Sequence, residues 1–475
     1  MKKNFYQLSD ILLLESDREI LNFRCCKTNL LVWPILRDEF IKLIISKLYF
    51  KDEYRNYNVK NSFFKKIISL YKLIKLPLFF KNLFFRIKRK DLIFVKSGFG
   101  NINLDNIIFD RNIDYFINLN KNNYITFSRS EQYSFFKKYF DKEMYFLSFD
   151  EIKIDLLSRL KKTNLEVSKD ITIYLVKKIK KIFNIKINPN EFQRLVRYNL
   201  LKINSIEKKL LFYKKLIKKI KPKLAVIEGA SYSENAILNY ALHSCGVQIA
   251  EPQHGVVNKS HDNYNFSSLV RNNKEYKLFL PDDFLAYGKH WSKSINGPFN
   301  KYDIGYPHKS QNIPQKRKRG NTKKILLISD GVHFDMLVYM SKKILVSLKK
   351  EYEVFIRPHP IERDRLKEKL KFYKHIKIDN EENIYKSLSD KDFVISELST
   401  VLYDSLNIVP SIFILRTNKS KYAIPNHPFN EVKDINELIK KINSNRIFNI
   451  KVNLKEYFSE NWKKNYNKYI KKFVF

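Results

Sequence analysis

"KLAVIEGASYSENAILNYALHSCGVQIAEPQHG", residues 223–255, is the stretch whose reading decides the fold. "KLAVIEGA" is a short apolar run that stops at a glycine, the pattern of a buried strand. "SYSENAILNYALHSCG" opens on serines suited to capping and repeats its apolar residues at helical spacing, closing on Gly246. "VQIAEPQHG" is then a second strand. Strand, helix and strand within about 33 residues form a right-handed parallel crossover. The chain is therefore α/β, built on a parallel sheet.

Working outward, "DLIFVKSG" (91–98) reads as another buried strand and residues 151–220 as mainly helical. Downstream, "LFLPDDFLAYGKHW" and "KYDIGYP" give two more short strand or turn units, and the basic polar "HKSQNIPQKRKRGNTKK" (308–324) reads as a solvated hinge. A second α/β series follows: strand "KILLISDG", helix "HFDMLVYMSKKILVSLKK", strand "YEVFIRPHP", helix "DRLKEKLKFY", strand "DFVISELS", helix "STVLYDSLNIV" and strand "PSIFIL". That alternation is a doubly wound sheet. The expected organisation is an N-terminal extension over 1–90, a first α/β domain over 91–307, the hinge over 308–324, a second α/β domain over 325–455, and a C-terminal amphipathic helix over 456–475 that crosses back to the first domain.

A length of 475 residues allows two or three domains with their own cores. The 44% apolar content, with aromatics making up 15% of the chain, excludes a disordered chain. A net charge of +41 draws polyanions, although the lysine- and asparagine-rich composition is also what an AT-rich genome produces. Basic residues are scattered through the chain and form no nucleic-acid module, so no nucleic-acid partner is expected. Three cysteines, two of them the adjacent Cys25 and Cys26, make no disulfide framework and fit a reducing cytoplasm. No zinc-ligand spacing and no spanning apolar run appear, and no signal peptide is expected from the basic start, whose apolar run is short and soon meets acids. Residues 62–90, "SFFKKIISLYKLIKLPLFFKNLFFRIKRK", interleave apolar groups with lysines and hold no acid, as in a helix lying at an anionic membrane surface, broken at Pro77. The expected location is cytoplasmic and peripheral on the inner face of the membrane.

All nine histidines lie between His243 and His427, which points to where the chemistry is. In an open parallel sheet, ligands bind beyond the carboxyl ends of the strands. There the sequence places Glu228, then Gln253, His254 and Gly255, then Asp330 and Gly331, then Arg357, His359 and Pro360, then Ser396, Ser399, Thr400 and Asp404. Ser399 and Thr400 at a helix start suit an anion. Arg357 suits a phosphate held through two N–H bonds, and Asp404 suits ribose hydroxyls. His254 has the pKa range of a general base. Glu228 and Glu234 are alternative bases, while Gln253, Gly255 and Asp262 are expected along the acceptor side.

"EPQHG", "GYP", "RPHP" and "SELSTVLYDSL" together resemble the GT-B glycosyltransferases of bacterial surface-polysaccharide assembly, closest to the capsule-synthesis, sialyl- and 3-deoxy-octulosonate-transferase-like groups. The early "NFRCCKTNLLVWPILRDEF" is similar to the opening of some such proteins. The resemblance covers about 220–415. It implies two Rossmann-like domains facing a cleft and a nucleotide-sugar donor, a CMP-sugar being favoured, held mainly by the second. It implies no metal or other cofactor, and His359 with Pro360 on the nucleotide and Ser396, Ser399 and Thr400 on its phosphate. Lipooligosaccharide, capsule or another surface glycan would be the acceptor. A CDP-polyol phosphotransferase and a nucleotide-sugar epimerase are the alternatives on the same fold, and a nucleic-acid-binding protein is the distant one.

Overall fold

The computed structural model describes residues 5–50 and most of 87–474, with 130–137, 314–321 and 360–375 the longer stretches outside it. The interfacial segment expected over 62–90 lies outside the described residues except at 87–90, as do the helix expected over 364–373 and Pro360. The chain forms two compact units, Met1–Gly305 with Ser459–Phe475, and Tyr306–Phe458. No helix among the described residues is long and apolar enough to cross a membrane.

In the first unit, short helical turns over residues 8–21 lead to α1 (Trp33–Ile45), whose proline at the second position costs no hydrogen bond. Its central sheet has seven strands: β1 (Leu92–Lys96), β2 (Tyr124–Ser128), β3 (Met144–Phe146), β4 (Leu224–Ile227), β5 (Gln248–Pro252), β6 (Asp283–Ala286) and β7 (Asn300–Asp303). They run in the order β3-β2-β1-β4-β5-β6-β7, every neighbouring pair parallel. The order reverses between β1 and β4, the arrangement of a Rossmann domain, and that reversal leaves a crevice at the carboxyl ends of the two strands. Two long helices, α2 (Leu165–Phe183) and α3 (Pro189–Ile220), lead into β4, and α3 starts on an Asn188–Glu191 capping box. The crossover expected over 223–255 is present as β4, a 3₁₀ turn at Ser233–Asn235, α4 (Ala236–His243) and β5.

The second unit has six parallel strands: β8 (Lys323–Ile328), β9 (Tyr352–Arg357), β10 (Lys377–Ile378), β11 (Phe393–Ser396), β12 (Ser411–Leu415) and β13 (Asn430–Val432). Their order, β10-β9-β8-β11-β12-β13, is again that of a Rossmann domain, with the reversal between β8 and β11. Helix α5 (Phe334–Ser347) follows β8 and packs Leu337, Met340 and Ile344 into a core with Ile325, Leu327 and Ile356. The fold is thus α/β with two Rossmann-like domains and a helical N-terminal region.

The hinge reading of 308–324 changes at its first residues. Pro307–Gln311 is a short helix of the second unit, with His308 and Lys309 buried. The chain passes between the units at Gly305–Tyr306 and returns at Phe458–Ser459. The last helix, α6 (Trp462–Ile470), belongs to the first unit and buries Trp462, Tyr466 and Tyr469 beside Phe94, Phe116 and Leu285. The Tyr469 hydroxyl donates to Asp283 Oδ2 at 2.8 Å. Replacing it, Tyr469→Phe, is expected to lower the unfolding free energy by about 1.5–3 kcal/mol, the range for a hydrogen bond to a charged acceptor. Urea denaturation reads this directly, and an unchanged midpoint would remove α6's hydroxyl from the account.

Candidate functional site

At the carboxyl end of β1 the chain turns through Ser97–Gly98–Phe99–Gly100, and its amide N–H groups converge on one carboxylate. Glu228 accepts from the amides of Ser97 (2.8 Å), Gly98 (2.9 Å), Phe99 (3.3 Å) and Gly100 (3.1 Å), and from Asn112 Nδ2 (2.7 Å). It is wholly buried, and burial raises its pKa against the pull of those donors. Every accepting position of Glu228 is thus engaged in shaping the loop after β1, a different task from the base expected of it. The next residue, Gly229, has φ +70°, and a Cβ there would meet Phe99 Cε2 at 3.0 Å, so only glycine fits between the two loops.

Phe99 in turn packs on His254, ring centroids 4.9 Å apart. His254 is half-buried just past β5, with Nε2 3.2 Å from the Tyr232 hydroxyl and Nδ1 3.3 Å from the Tyr264 hydroxyl. Tyr264 donates to Glu251 Oε1 at 2.6 Å, and Glu251 Oε2 also takes the Ser231 amide at 2.8 Å. His261 reaches the Tyr232 hydroxyl from the other side at 3.5 Å. Burial, then His261 and Arg111, pushes the His254 pKa down to about 3, and burial with Lys42 pushes His261 down to about 4. Burial pushes Glu251 up to about 7 against its bonds to Ser231 and Tyr264. The rings and carboxylate form one hydrogen-bonded row at the carboxyl ends of β4 and β5.

The N-terminal region supports this row. Arg37 of α1 is buried and donates to Glu15 Oε2 (2.8 Å), to the Asp262 carbonyl (2.8 Å) and to the Asn265 carbonyl (2.8 Å). Glu15 also accepts from Trp33 Nε1 (3.1 Å) and the Ser267 amide (2.8 Å). The "WPILR" stretch therefore fixes residues 262–267, which carry Tyr264. One residue on, Asp38 accepts the Ser233 amide at 3.1 Å and so holds the loop that carries Tyr232.

Other expected residues fall elsewhere. Gln253 is buried, its Nε2 donating to the Gly255 carbonyl (2.7 Å) and its Oε1 accepting the Tyr287 amide (2.8 Å), so it ties β5 to β6 and braces the turn. Gly255 is not among the glycines with positive φ. Asp262 is buried with Oδ1 3.6 Å from His261 Nδ1. Glu234 is exposed on the 3₁₀ turn, and among the described residues no hydrogen bond joins its carboxylate to His254.

In the second unit the reversal between β8 and β11 also carries a pocket, lined by Ile328, Asp330, Met336, Ile395, Ser396 and Glu397 among others. Gly331, φ +87°, packs against the His359 ring, and a Cβ would stand 3.2 Å from its Cγ. Gly331 and His359, from two strand ends, are thereby brought together, and Asp330 lines the pocket. Ser396 Oγ donates to the Ile328 carbonyl (3.1 Å) and accepts the Ser399 amide (3.3 Å), linking the two strands at the reversal. Thr400 follows, half-buried, but the helix after it is one turn, Val401–Asp404. So short a helix carries little dipole, which departs from the anion-binding helix start expected there.

Arg357 and Asp404 also differ from expectation. The Arg357 guanidinium donates to Asp379 Oδ2 (2.6 Å) and to the carbonyls of Glu381 (2.8 Å) and Glu382 (3.3 Å), so it ties the end of β9, two residues before His359, to the segment after β10. Asp404 is buried, its Oδ1 accepting from the Tyr385 hydroxyl at 2.9 Å. Its carbonyl takes Lys309 Nζ at 2.7 Å, and burial lowers that amine to about 8.

No family model and no curated protein matches the chain. Among solved structures it is similar to UDP-GlcNAc 2-epimerase from Methanocaldococcus jannaschii, with a TM-score of 0.44 at 15% identity over 81% of this chain and 99% of that one. It is also similar to the wall teichoic acid polymerase TagF, with 0.42 at 12% over 89% and 92%. A third is the glycotransferase of kitacinnamycin, with 0.38 at 8% over 76% and 90%.

Sequence reasoning missed Glu251, Tyr232, Tyr264 and His261. One signal was present: Glu251 is a carboxylate inside the apolar run of a mostly buried strand, a position that costs free energy unless it is hydrogen-bonded.

Proposed function

We propose that the protein is a glycosyltransferase that moves a sugar from a nucleotide-activated donor, a CMP-sugar being favoured, to a surface-glycan acceptor. The observation that carries this reading is the pole of the second unit, where Gly331 packs on the His359 ring and the neighbouring Asp330 lines a pocket with Ser396 at the strand reversal. A reversal of this kind opens a crevice for a nucleotide, and the motifs that meet there are those of the resemblance. His359 donates to the departing phosphate, the hydroxyls of Ser399 and Thr400 add further contacts, Ser396 holds the Ser399 amide in place, and Arg357 holds the His359 loop. On the first unit His254 receives the proton of the acceptor hydroxyl. The basic segment 62–90 holds the enzyme to an anionic membrane, and flotation with anionic liposomes tests this, since protein left at the bottom of the gradient removes the membrane from the reading.

Thermal-shift measurement of wild type and His359→Ala against CMP, CDP, UDP and GDP tests the donor site. One nucleotide should stabilise wild type, by about 2.7 kcal/mol at a hundredfold excess over its Kd, and leave His359→Ala unshifted. If no nucleotide shifts the wild type, the transferase reading fails.

A further inference from the structure

His254 is a poor store for a proton. Burial, with His261 and Arg111 close by, disfavours its doubly protonated form. Its surroundings offer another route. Glu251 is wholly buried in β5 and holds two donors from Ser231, the amide and the hydroxyl, on Oε2. On Oε1 it faces the Tyr264 hydroxyl at 2.6 Å, and that hydroxyl lies 3.3 Å from His254 Nδ1. An ionised carboxylate accepts only, so the Tyr264 O–H donates to Glu251. The Tyr264 oxygen must then accept, and the group that can donate to it is Nδ1–H. Nε2 is left with its lone pair, 3.2 Å from the half-buried Tyr232 hydroxyl. The row thus runs from Tyr232 inward to a carboxylate with no exposed surface.

We propose that Tyr232, His254, Tyr264 and Glu251 form a proton wire in which Glu251 is the final acceptor and His254 a relay that stays neutral. The proposal deepens the reading of His254 as the group that receives the acceptor's proton, and rests on it for its role in catalysis. A proton leaves the acceptor hydroxyl for the Tyr232 oxygen as the Tyr232 proton moves to Nε2. The Nδ1–H bond breaks as its proton passes to the Tyr264 oxygen, and the Tyr264 proton forms an O–H bond on Glu251. Both tyrosines end as they began, the imidazole ends neutral in its other tautomer, and the carboxylate's negative charge has moved to the acceptor oxygen. Burial suits this task, because it brings Glu251 to about 7 and penalises the imidazolium that the wire avoids. The charged and titratable groups around the row are Arg111 and His261 beside His254, Lys42, Asp38 and Asp262 around Tyr232 and His261, and Tyr287 beside Tyr264.

The test is the tautomer of His254, read by ¹⁵N NMR of the full chain labelled at histidine, with His254→Asn assigning the signal. Above pH 8 the wild type should show Nδ1–H and a bare Nε2. Lowering the pH should convert it to Nε2–H with a midpoint near 7, as Glu251 takes up a proton, with no imidazolium above pH 5. In Glu251→Gln the Ser231 amide claims the amide oxygen, so the NH₂ faces Tyr264, Tyr264 donates to Nδ1, and Nε2–H is expected at every pH. Tyr264→Phe should abolish the pH-dependent switch. A doubly protonated His254 between pH 5 and 8, Nε2–H in the wild type at pH 9, or an unswitched tautomer in Glu251→Gln would overturn the wire. Should the glutamine variant not fold, the wild-type titration decides alone. No nucleotide or acceptor is present, so this outcome is separate from the nucleotide-binding test, whose failure would remove the transferase and leave the wire as measured.

Discussion

His254→Asn is expected to lower the transfer rate by about 10²–10⁴-fold, the usual contribution of a positioned acid or base, while leaving the nucleotide thermal shift unchanged. The separation follows from the fold: His254 stands at the carboxyl end of β5 in the first unit, and the nucleotide motifs stand on strands of the second. The pH profile adds a sharper result. If His254 alone took the proton, with a pKa near 3, the rate would be level from pH 5 to 9. With Glu251 as the final acceptor, the rate should be level above about pH 7 and fall roughly tenfold per unit below it, because the protonated carboxyl can take no further proton. Steady-state rates across that range distinguish the two, and a level profile with a large His254→Asn effect would assign the base to His254 and take Glu251 out of the mechanism.

What could be read from the sequence followed from local rules, and what could not depended on which strands became neighbours. The 223–255 crossover is legible because its apolar periods change from strand to helix and back, and Gly246 closes the helix with φ +73°. Residues at strand ends could be assigned to one pole of each sheet for the same reason. Partners could not be assigned. Arg357 looks like a phosphate ligand until the order β10-β9-β8 sets Asp379 beside it, 22 residues along the chain. Glu228 looks like a base until the reversal between β1 and β4 brings the Ser97–Gly100 amides onto it, well over a hundred residues away. His254 was found by composition and position, whereas Tyr232 and Tyr264 are ordinary core-type residues in the sequence, Glu251 shows only as a misplaced carboxylate, and the three become a row only when β4, β5 and the 262–267 loop converge. The "STVLYDSLNIV" helix failed differently: after one turn at Val401–Asp404 the chain turns to Asn407, φ +62°, which a helix does not permit.

The second large effect is expected outside the row itself, at Arg37→Met. Glu15 has no exposed surface, and the guanidinium is the positive charge that pairs with it. Removing one partner of such a pair strands the other in the interior, at a cost of about 3–5 kcal/mol. The carbonyls of Asp262 and Asn265 lose their donors as well. Urea denaturation should therefore show a marked drop in midpoint for Arg37→Met, and for Glu15→Gln with Arg37→Met a loss smaller than the sum of the single changes, since the uncompensated charge is gone. A single-variant loss below about 1 kcal/mol would mean that water reaches Glu15 and that the pair is not buried in solution. The same variant reaches the site through the chain. Residues 262–267 carry Tyr264, whose hydroxyl must stay within bonding reach of both Glu251 and His254, so slackening that loop separates the two ends of the row. Arg37→Met should thus lose the pH-dependent His254 tautomer at temperatures where the fold persists, whereas Tyr469→Phe, comparable in kind as a core polar deletion but on the α6 side of the sheet, should keep it.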